Sequence, residues 1–475
     1  MNSDATPDPR FGMFSLFRRP WAGATILLGA GVGLEALEFY VTASLIPSMV
    51  RDIGGLHLLA WTTSIFVVAI VLGGVAIVIR PRGINLRQAY MAGALIFAVG
   101  CLIVGLAPTM EVVLAGRFVQ GFGAGLLVTL AYSFIRFVYP EGMQNAASAF
   151  YSALWGASTL LGPTLGGFFG HDGQWRWAFY ILIPIAILMA LLAVRLLPEG
   201  EDERAPQSVP FAQIVLVISG TLAMSLAGTV ETMLARISLT LGGFAALAAV
   251  LAVERRGRST LLPRQATAFG HPLAYTYLAM FLLIVTLNSD IFVPYLLQTL
   301  RATTPLVSGY VVALVASGWA VAGMVTASWT DRPARIAIAA GPAVLFATTF
   351  ALAFVISVPD PGAGLVSLLP VGALLFGMGI GIGLGWAHLI SLVITLSKGP
   401  EADKATAAIN LVPSVAAAFG AAFAGVIANA AGLVTPGGIE GASSAGFWLY
   451  ALISLSAVLA FLSVLPLARL ATAKE

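Results

Sequence analysis

The sequence is poor in charge, in cysteine and in histidine. Asp, Glu, Lys and Arg together make up only 9% of its 475 residues, where a soluble globular domain carries roughly 25%. A water-soluble fold with an ordinary charged surface is therefore excluded. The single cysteine, Cys101, excludes an intrachain disulfide and a cysteine metal cluster. The four histidines, His57, His171, His271 and His388, lie far apart and match no metal-ligand spacing, so neither a metal nor a cofactor is expected. No G-x-x-x-x-G-K-[ST] sequence occurs, which argues against direct use of ATP. No serine, histidine and aspartate set falls at a plausible active site, and the chain is not expected to be an enzyme. Basic residues sit in loops rather than in a stripe interleaved with aromatics, so nucleic acid is not an expected partner.

What the sequence has in abundance is apolar length. It is 59% hydrophobic, with a mean hydropathy of +0.95. A membrane span needs about 20 apolar residues to cross roughly 30 Å of hydrocarbon. That ruler gives fourteen candidates, at 22–47, 58–79, 88–107, 110–135, 145–169, 177–197, 211–230, 234–252, 272–300, 305–328, 334–357, 363–396, 404–431 and 444–468. The polar stretch EGEDERAPQSVP follows the sixth, and the basic stretch ERRGRSTLLPRQ follows the eighth. The expected layout is a tail (1–21), a six-helix bundle (22–197), a linker (198–210), two additional helices (211–252), a second linker (253–271), a second six-helix bundle (272–468) and a tail (469–475). The fold class is all-α integral membrane. The first twenty residues are polar and the run after them is too long for a signal-peptide core, so no cleaved leader is expected.

Loop charge orients these spans. With the amino terminus in the cytoplasm, only Arg51, Arg176, Arg236 and Arg301 of the 24 basic residues fall outside, and Arg117 lies within a span. The bias places both termini inside a cytoplasmic membrane. The two six-span blocks also show faint internal symmetry, as in transporters built from repeats. A shift of 250 residues lays Arg51 on Arg301 and Glu38 on Asn288, with Asp290 two positions further on.

Within the first span, Ala22 to Pro47, stand Glu35 and Glu38. Three residues apart on a helix they share a face, and in hydrocarbon even one charge is costly. A bound proton relieves both the desolvation and the mutual repulsion, which is the behaviour a proton carrier needs. The competing structural reading is a neutral carboxylic acid hydrogen-bonded between helices. Counted inward at ~1.5 Å per residue, Glu38 lies roughly 14 Å deep, Arg117 roughly 12 Å and Asp290 roughly 15 Å. A shared level is what a common polar cavity near the midplane would produce.

The segment GRFVQGFGAG, Gly116 to Gly125, contains Arg117-x-x-Gln120-Gly121, and GASTLLGPTLGG, Gly156 to Gly167, contains Gly162-Pro163-x-x-Gly166-Gly167. Gly162, Gly166 and Gly170 recur every four residues, a spacing that permits close helix packing, and Pro163 removes a backbone donor and marks a place for a bend. With WRWAFYILIP (Trp175 to Pro184) these segments resemble the drug:proton antiporters of the major facilitator superfamily. The resemblance implies a fourth-helix arginine associated with proton transfer and a fifth-helix motif associated with antiport. Glu38 to Pro47 is similar to the first-helix signature of the fourteen-helix branch, with glutamate where aspartate is usual. The six-two-six layout resembles that branch too, which implies two six-helix bundles plus two extra central helices, the pair lying outside the usual twelve-helix core.

One family feature departs. The loop after the second span reads AIVIRPRGIN, with Arg80 where the superfamily's Gly-x-x-x-Asp-Arg-x-Gly-Arg latch has its acid. The loop after the tenth span keeps Asp331-Arg332 with Arg335 beyond. A weakened or rewired inner gate is inferred.

The expected machinery is then Glu38, Glu35, Arg117 and Asp290 for proton coupling. Gln120, Gly121, Gly162, Pro163, Gly166, Gly167, Asp331 and Arg332 would serve gating and helix packing. Phe39, Tyr40, Tyr132, Trp155, Asn288, Tyr295 and Trp386 would line a substrate cavity, although scattered aromatics in membrane helices also serve as packing or interface anchors. Sodium would want a cage of oxygen ligands, whereas a carboxylate near an arginine suffices for protons. The expected function is proton-coupled efflux of small hydrophobic or amphipathic compounds by a monomer in the lipid bilayer, through alternating access. Export of lipids or lipid conjugates, proton symport and a non-transporting receptor are the rival readings.

Overall fold

The structure, a computed structural model, describes residues 13–80, 83–170, 174–200, 210–257, 259–268, 270–362, 364–397 and 401–470. Most of both expected tails and of the 198–210 linker, and Pro81 and Arg82 of the altered loop, lie outside the described residues. Among the described residues there is no strand. The helices are α1 (Ala22–Ile53), α2 (Leu59–Ile79), α3 (Leu86–Gly105), α4 (Met110–Val138), α5 (Glu141–Phe169), α6 (Trp175–Tyr180), α7 (Leu182–Leu196), α8 (Phe211–Ala227), α9 (Met233–Arg256), α10 (Pro272–Leu287), α11 (Val293–Leu300), α12 (Pro305–Thr326), α13 (Asp331–Ile356), α14 (Leu369–Leu396), α15 (Ala402–Ala430) and α16 (Gly438–Leu470).

Among the described residues, twelve helical segments are long and apolar enough to cross a membrane, with α6–α7 and α10–α11 each counting as one. The chain is thus an all-helical, multi-pass membrane protein. Of the fourteen expected spans, α5 and α8 are not among the twelve. The glycines, serines and threonines of α5 lower its hydropathy, and α8 has only 17 residues.

Two compact units divide the chain, Met1–Gly54 with Val68–Gln207, and Gly55–Val67 with Ser208–Glu475. In the first, α3 packs along α4 and α1 along α5. Lipid tails are as apolar as leucine, so such contacts depend on close van der Waals fit between small residues. A Cβ on Gly100 would fall on the Gln120 backbone, and one on Gly116 would lie 2.6 Å from Val104 Cγ2, so α3 and α4 touch backbone to backbone. In the second unit, α14 packs on α12 and α13, and the pair α8–α9 packs on α15. Met224 and Ala227 of α8 meet Phe419, Ala422 and Val426 of α15 in one buried cluster.

The first and ninth spans differ in their course from expectation. The first runs to Ile53 instead of ending at Pro47, since a proline inside a membrane helix is tolerated where neighbours satisfy the freed backbone. Gly54 and Gly55, with φ of 73° and 79°, stop it. The span at 272–300 is not one continuous α-helix. It passes through a 3₁₀ segment at Asn288–Phe292. Asn288 Nδ2 donates to the Ile284 carbonyl at 2.9 Å and Ser289 Oγ to that of Thr286 at 2.8 Å, and Pro294 lacks the N–H that would carry the α pattern forward.

Candidate functional site

The site is built where α1, α3 and α4 meet in the first unit. Arg117 Nη1 of α4 donates to Oε1 of Glu38 on α1. Thr42, one turn along α1, donates its hydroxyl to the same oxygen at 2.5 Å. Arg117 Nη1 also donates to Gln120 Oε1 at 2.8 Å, and Gln120 Nε2 donates to Cys101 Sγ of α3 at 3.2 Å. The network runs Cys101, Gln120, Arg117, Glu38, Thr42 across three helices. It is buried: Glu38 is 0% exposed, Arg117 1%, and Gln120 and Cys101 0%.

A buried charge costs several kcal/mol unless it is paired and hydrogen-bonded. Arg117 meets that condition for Glu38, but only at one oxygen. Oε1 takes two donors, while Oε2 has no hydrogen-bond partner. Glu35, one turn earlier on the same helix, is 7% exposed, and its Oε2 also has no partner. Two carboxylates thus share one buried stretch of α1 with a single ion-paired arginine beside them. Chemically, the arrangement can hold one negative charge and has oxygen left over for a proton or a cation.

Helix α5 sets the position of this stretch. A Cβ on Gly162 would fall on Cβ of Tyr40, and one on Gly166 would lie 2.6 Å from Cβ of Ser44. Ser48 Oγ donates to the Gly170 carbonyl at 3.0 Å. The rows 162, 166, 170 and 40, 44, 48 therefore interlock turn by turn. Pro163 and Gly167 are buried in the same helix, which runs unbroken through the proline. Gly121 is buried on α4 next to Gln120. At the far end of α1, Asp52 Oδ2 accepts from Trp175 Nε1 at 3.0 Å and from Arg176 Nη1 at 2.5 Å, and Arg176 Nη2 reaches the Ala107 carbonyl at 3.0 Å. The Trp-Arg pair thus ties α6 to the ends of α1 and α3.

Several of the expected cavity aromatics lie in edge-on pairs. Phe39 lies edge-on to Tyr40 at 5.5 Å and Tyr132 to Tyr151 at 5.3 Å; Trp155 is partly buried on α5. In the second unit Trp386 lies edge-on to Trp319 at 5.2 Å, and Tyr295 is partly buried on α11. Asp290 sits in the 3₁₀ break with Asn288, where Tyr450 donates to the Ser289 carbonyl at 3.1 Å. Asp331 and Arg332 are exposed at the start of α13, Asp331 with φ of 50°. In the altered loop, Arg80 donates to the carbonyls of Ile84 at 2.9 Å and Ile77 at 3.1 Å. The residue that replaces the acid therefore closes its own turn.

Thr42 and Cys101 escaped the sequence reading as members of the network. Thr42 carried a usable signal, since a hydroxyl four residues after an intramembrane acid can reach it. Cys101 carried none. Among the described residues, no group of three or more His, Cys, Asp or Glu could hold a metal ion.

The family model described as Major Facilitator Superfamily matches residues 28–382. A probable multidrug-efflux transporter of Mycobacterium tuberculosis is 33% identical over 420 residues, covering 86% of this chain and 88% of that protein. The tetracenomycin C resistance and export protein of Streptomyces glaucescens is 25% identical over 298 residues, 61% of this chain and 55% of that one. Among solved structures, a bacterial homologue of the human lysosomal transporter Spinster superimposes with a TM-score of 0.65 at 14% identity, covering 96% of this chain and 98% of that one; at that identity the likeness shows the fold alone. With the family model spanning most of a chain of apolar helices, this protein belongs to the Major Facilitator Superfamily and is a membrane transporter rather than an enzyme.

Proposed function

We propose that the protein is a proton-coupled antiporter that exports small hydrophobic or amphipathic compounds, in the manner of a multidrug pump, across the cytoplasmic membrane. The observation that carries this reading is the buried Glu38–Arg117 pair with one carboxylate oxygen left without a partner. The names of the relatives, a multidrug-efflux transporter and an antibiotic resistance and export protein, support the substrate class and the direction.

In this reading the chain crosses the membrane fourteen times, α5 and α8 joining the twelve stronger spans, with both termini cytoplasmic. The bundles are 22–197 and 272–468, and the added pair is 211–252. Glu38 takes up a proton on Oε2 and releases substrate when the site is open to the outside. Facing inward, it gives up the proton as substrate binds. Arg117 and Thr42 hold Oε1 throughout, Gln120 braces the guanidinium, and Glu35 and Asp290 contribute further carboxylates for coupling. Gly121, Gly162, Pro163, Gly166 and Gly167 let the helices approach and slide, while Asp331 and Arg332 act at the inner gate. Phe39, Tyr40, Tyr132, Trp155, Asn288, Tyr295 and Trp386 contact the substrate. The protein works as a monomer.

The test is export of a fluorescent lipophilic compound from proteoliposomes under an imposed proton gradient. Glu38→Gln abolishes gradient-driven export with the protein still folded; undiminished export removes Glu38 from the mechanism. Substrate moving with the proton rather than against it would establish symport, and transport of phospholipid analogues alone would establish a lipid exporter.

A further inference from the structure

At one end of α9 the chain folds back around a buried carboxylate. Glu254 Oε1 accepts from Gln213 Nε2 of α8 at 3.0 Å and from the Leu261 amide at 2.8 Å, and Oε2 accepts from the Leu262 amide at 3.0 Å. Further along, the Arg264 amide donates to Glu401 Oε2 at 2.6 Å and Lys404 Nζ to Thr260 Oγ1 at 3.0 Å. Residues 259–268 thus form a fixed shelf tied to α8, α9 and α15. Beside it the surface dips into an open recess of about 350 Å³, lined by Glu254, Arg255, Arg264, Thr267 and Ala268, of which Arg255, Arg264 and Ala268 are exposed. Arg255 is held in place by its Nε, which donates to the Thr267 carbonyl at 2.9 Å.

Charge, size and level point to one kind of ligand. Both oxygens of Glu254 already accept N–H donors, and the side chains of Arg255 and Arg264 line the same space. Guanidinium is the side chain best matched to phosphate, which it grips with two parallel donors. A volume of about 350 Å³ holds a headgroup but not a whole lipid. Helix α9 is a candidate span ending at Arg256, which puts the recess where hydrocarbon gives way to headgroups. It is also the least buried of the twelve spans, at 17% of its apolar window. Leu241, Phe244 and Leu251 are exposed, and their spacing places them on the helical face that carries Arg255 one turn beyond Leu251. Acyl chains would find an apolar wall that leads straight to the arginines.

We propose that this recess binds the phosphate group of an anionic phospholipid, with Arg255 and Arg264 as its charge partners and the acyl chains lying along α9. The site shares no residue with the Glu38 network and does not depend on what the protein exports. Its occupant joins α9 to the shelf, and through the Arg264–Glu401 bond the shelf joins α15.

The experiment is thermal unfolding of the full-length protein in neutral detergent, titrated with phosphatidylglycerol, phosphatidylcholine or inorganic phosphate. Phosphatidylglycerol raises the unfolding temperature by roughly 5 °C at saturation, and phosphatidylcholine leaves it unchanged. Arg255→Gln/Arg264→Gln removes the shift. So does Ala268→Phe, which keeps both arginines and fills the recess, and which decides the matter alone if the double variant fails to fold. Inorganic phosphate reproducing the shift in the parent protein, and in neither variant, keeps the site and makes its occupant a soluble phosphate. No shift in the parent protein, or a full shift in Ala268→Phe, overturns the proposal.

Discussion

Arg117 grips Glu38 by one oxygen only: Oε1 receives the guanidinium and the Thr42 hydroxyl, and Oε2 receives nothing. The pair is buried, so removing its cation strands a charge in apolar surroundings. Arg117→Met should cost about 3–5 kcal/mol of stability. Glu38→Gln/Arg117→Met should cost clearly less than the sum of the two single changes, because each neutralises the fault left by the other. Thermal unfolding of the four proteins in detergent measures the coupling; additive effects would mean that the two side chains do not interact.

The interlocked rows of α1 and α5 make a sharper steric statement. A side chain at Gly162 meets Cβ and backbone atoms of Tyr40, which cannot swing aside as a flexible tip would. Gly162→Val should destabilise by about 1–3 kcal/mol and disturb the adjacent Glu38 stretch. Gly156, on the same helix, has nothing within 4 Å of an added Cβ, and Gly156→Ala should change stability by no more than about 0.5–1 kcal/mol, in the favourable direction. Equal losses at the two positions would mean that helix propensity, not contact, governs them.

Much of this was legible in the residues. Glu38 and Arg117 announce themselves because a charge in a membrane span is rare and costly, and counting rise per residue placed them at one depth, where the structure joins them. The row Gly162, Gly166, Gly170 is legible because only small residues let two helix backbones touch. What was hidden depends on direction rather than composition. Cys101 looks like any apolar residue until Gln120 is seen to point at it. The break at Asn288 comes from side chains bonding back to carbonyls, which hydropathy does not register, though Pro294 hinted at it. Glu254 passed as one more polar residue in a basic linker, when it is the acceptor around which that linker turns. Helix α5 lost apolarity for the same reason that it packs well.

The contact between Arg264 and Glu401 carries a pH dependence. The Arg264 amide, and after it the nearby Lys404, favour ionised Glu401 and hold its carboxyl below its ordinary value of 4.5. A carboxyl depressed in the folded state adds stability above the unfolded-state value and loses it as pH falls through the folded-state value. The unfolding temperature should therefore drop more steeply below about pH 4.5 in the parent protein than in Glu401→Gln, and the two profiles should run parallel above it. Both charged side chains are partly exposed, so the difference is small. Parallel profiles throughout the acid range would show that this contact does not respond to pH.

Glu254 gives the most local prediction. Its carboxylate accepts three N–H donors, two of them from the backbone of Leu261 and Leu262, and a carboxylate is the one side chain of this size that presents acceptors on both arms. Glu254→Gln turns one arm into a donor facing an amide N–H, so at least one bond to a charged acceptor is lost and a donor is left buried against another. A loss of about 2 kcal/mol follows. Where opening is fast relative to cleavage, proteolysis tracks the population of the open form, and that energy corresponds to roughly thirtyfold faster cutting. The bond after Arg264 offers trypsin a target in the shelf itself, so limited digestion of the full-length protein in proteoliposomes reads the change directly. Glu254→Asp, which keeps both acceptors on a shorter arm, should fall between the parent and the glutamine variant. Cleavage after Arg264 at the parental rate in Glu254→Gln would mean that the shelf is held by Glu401 and Lys404 alone, and that the buried carboxylate contributes nothing to its fold.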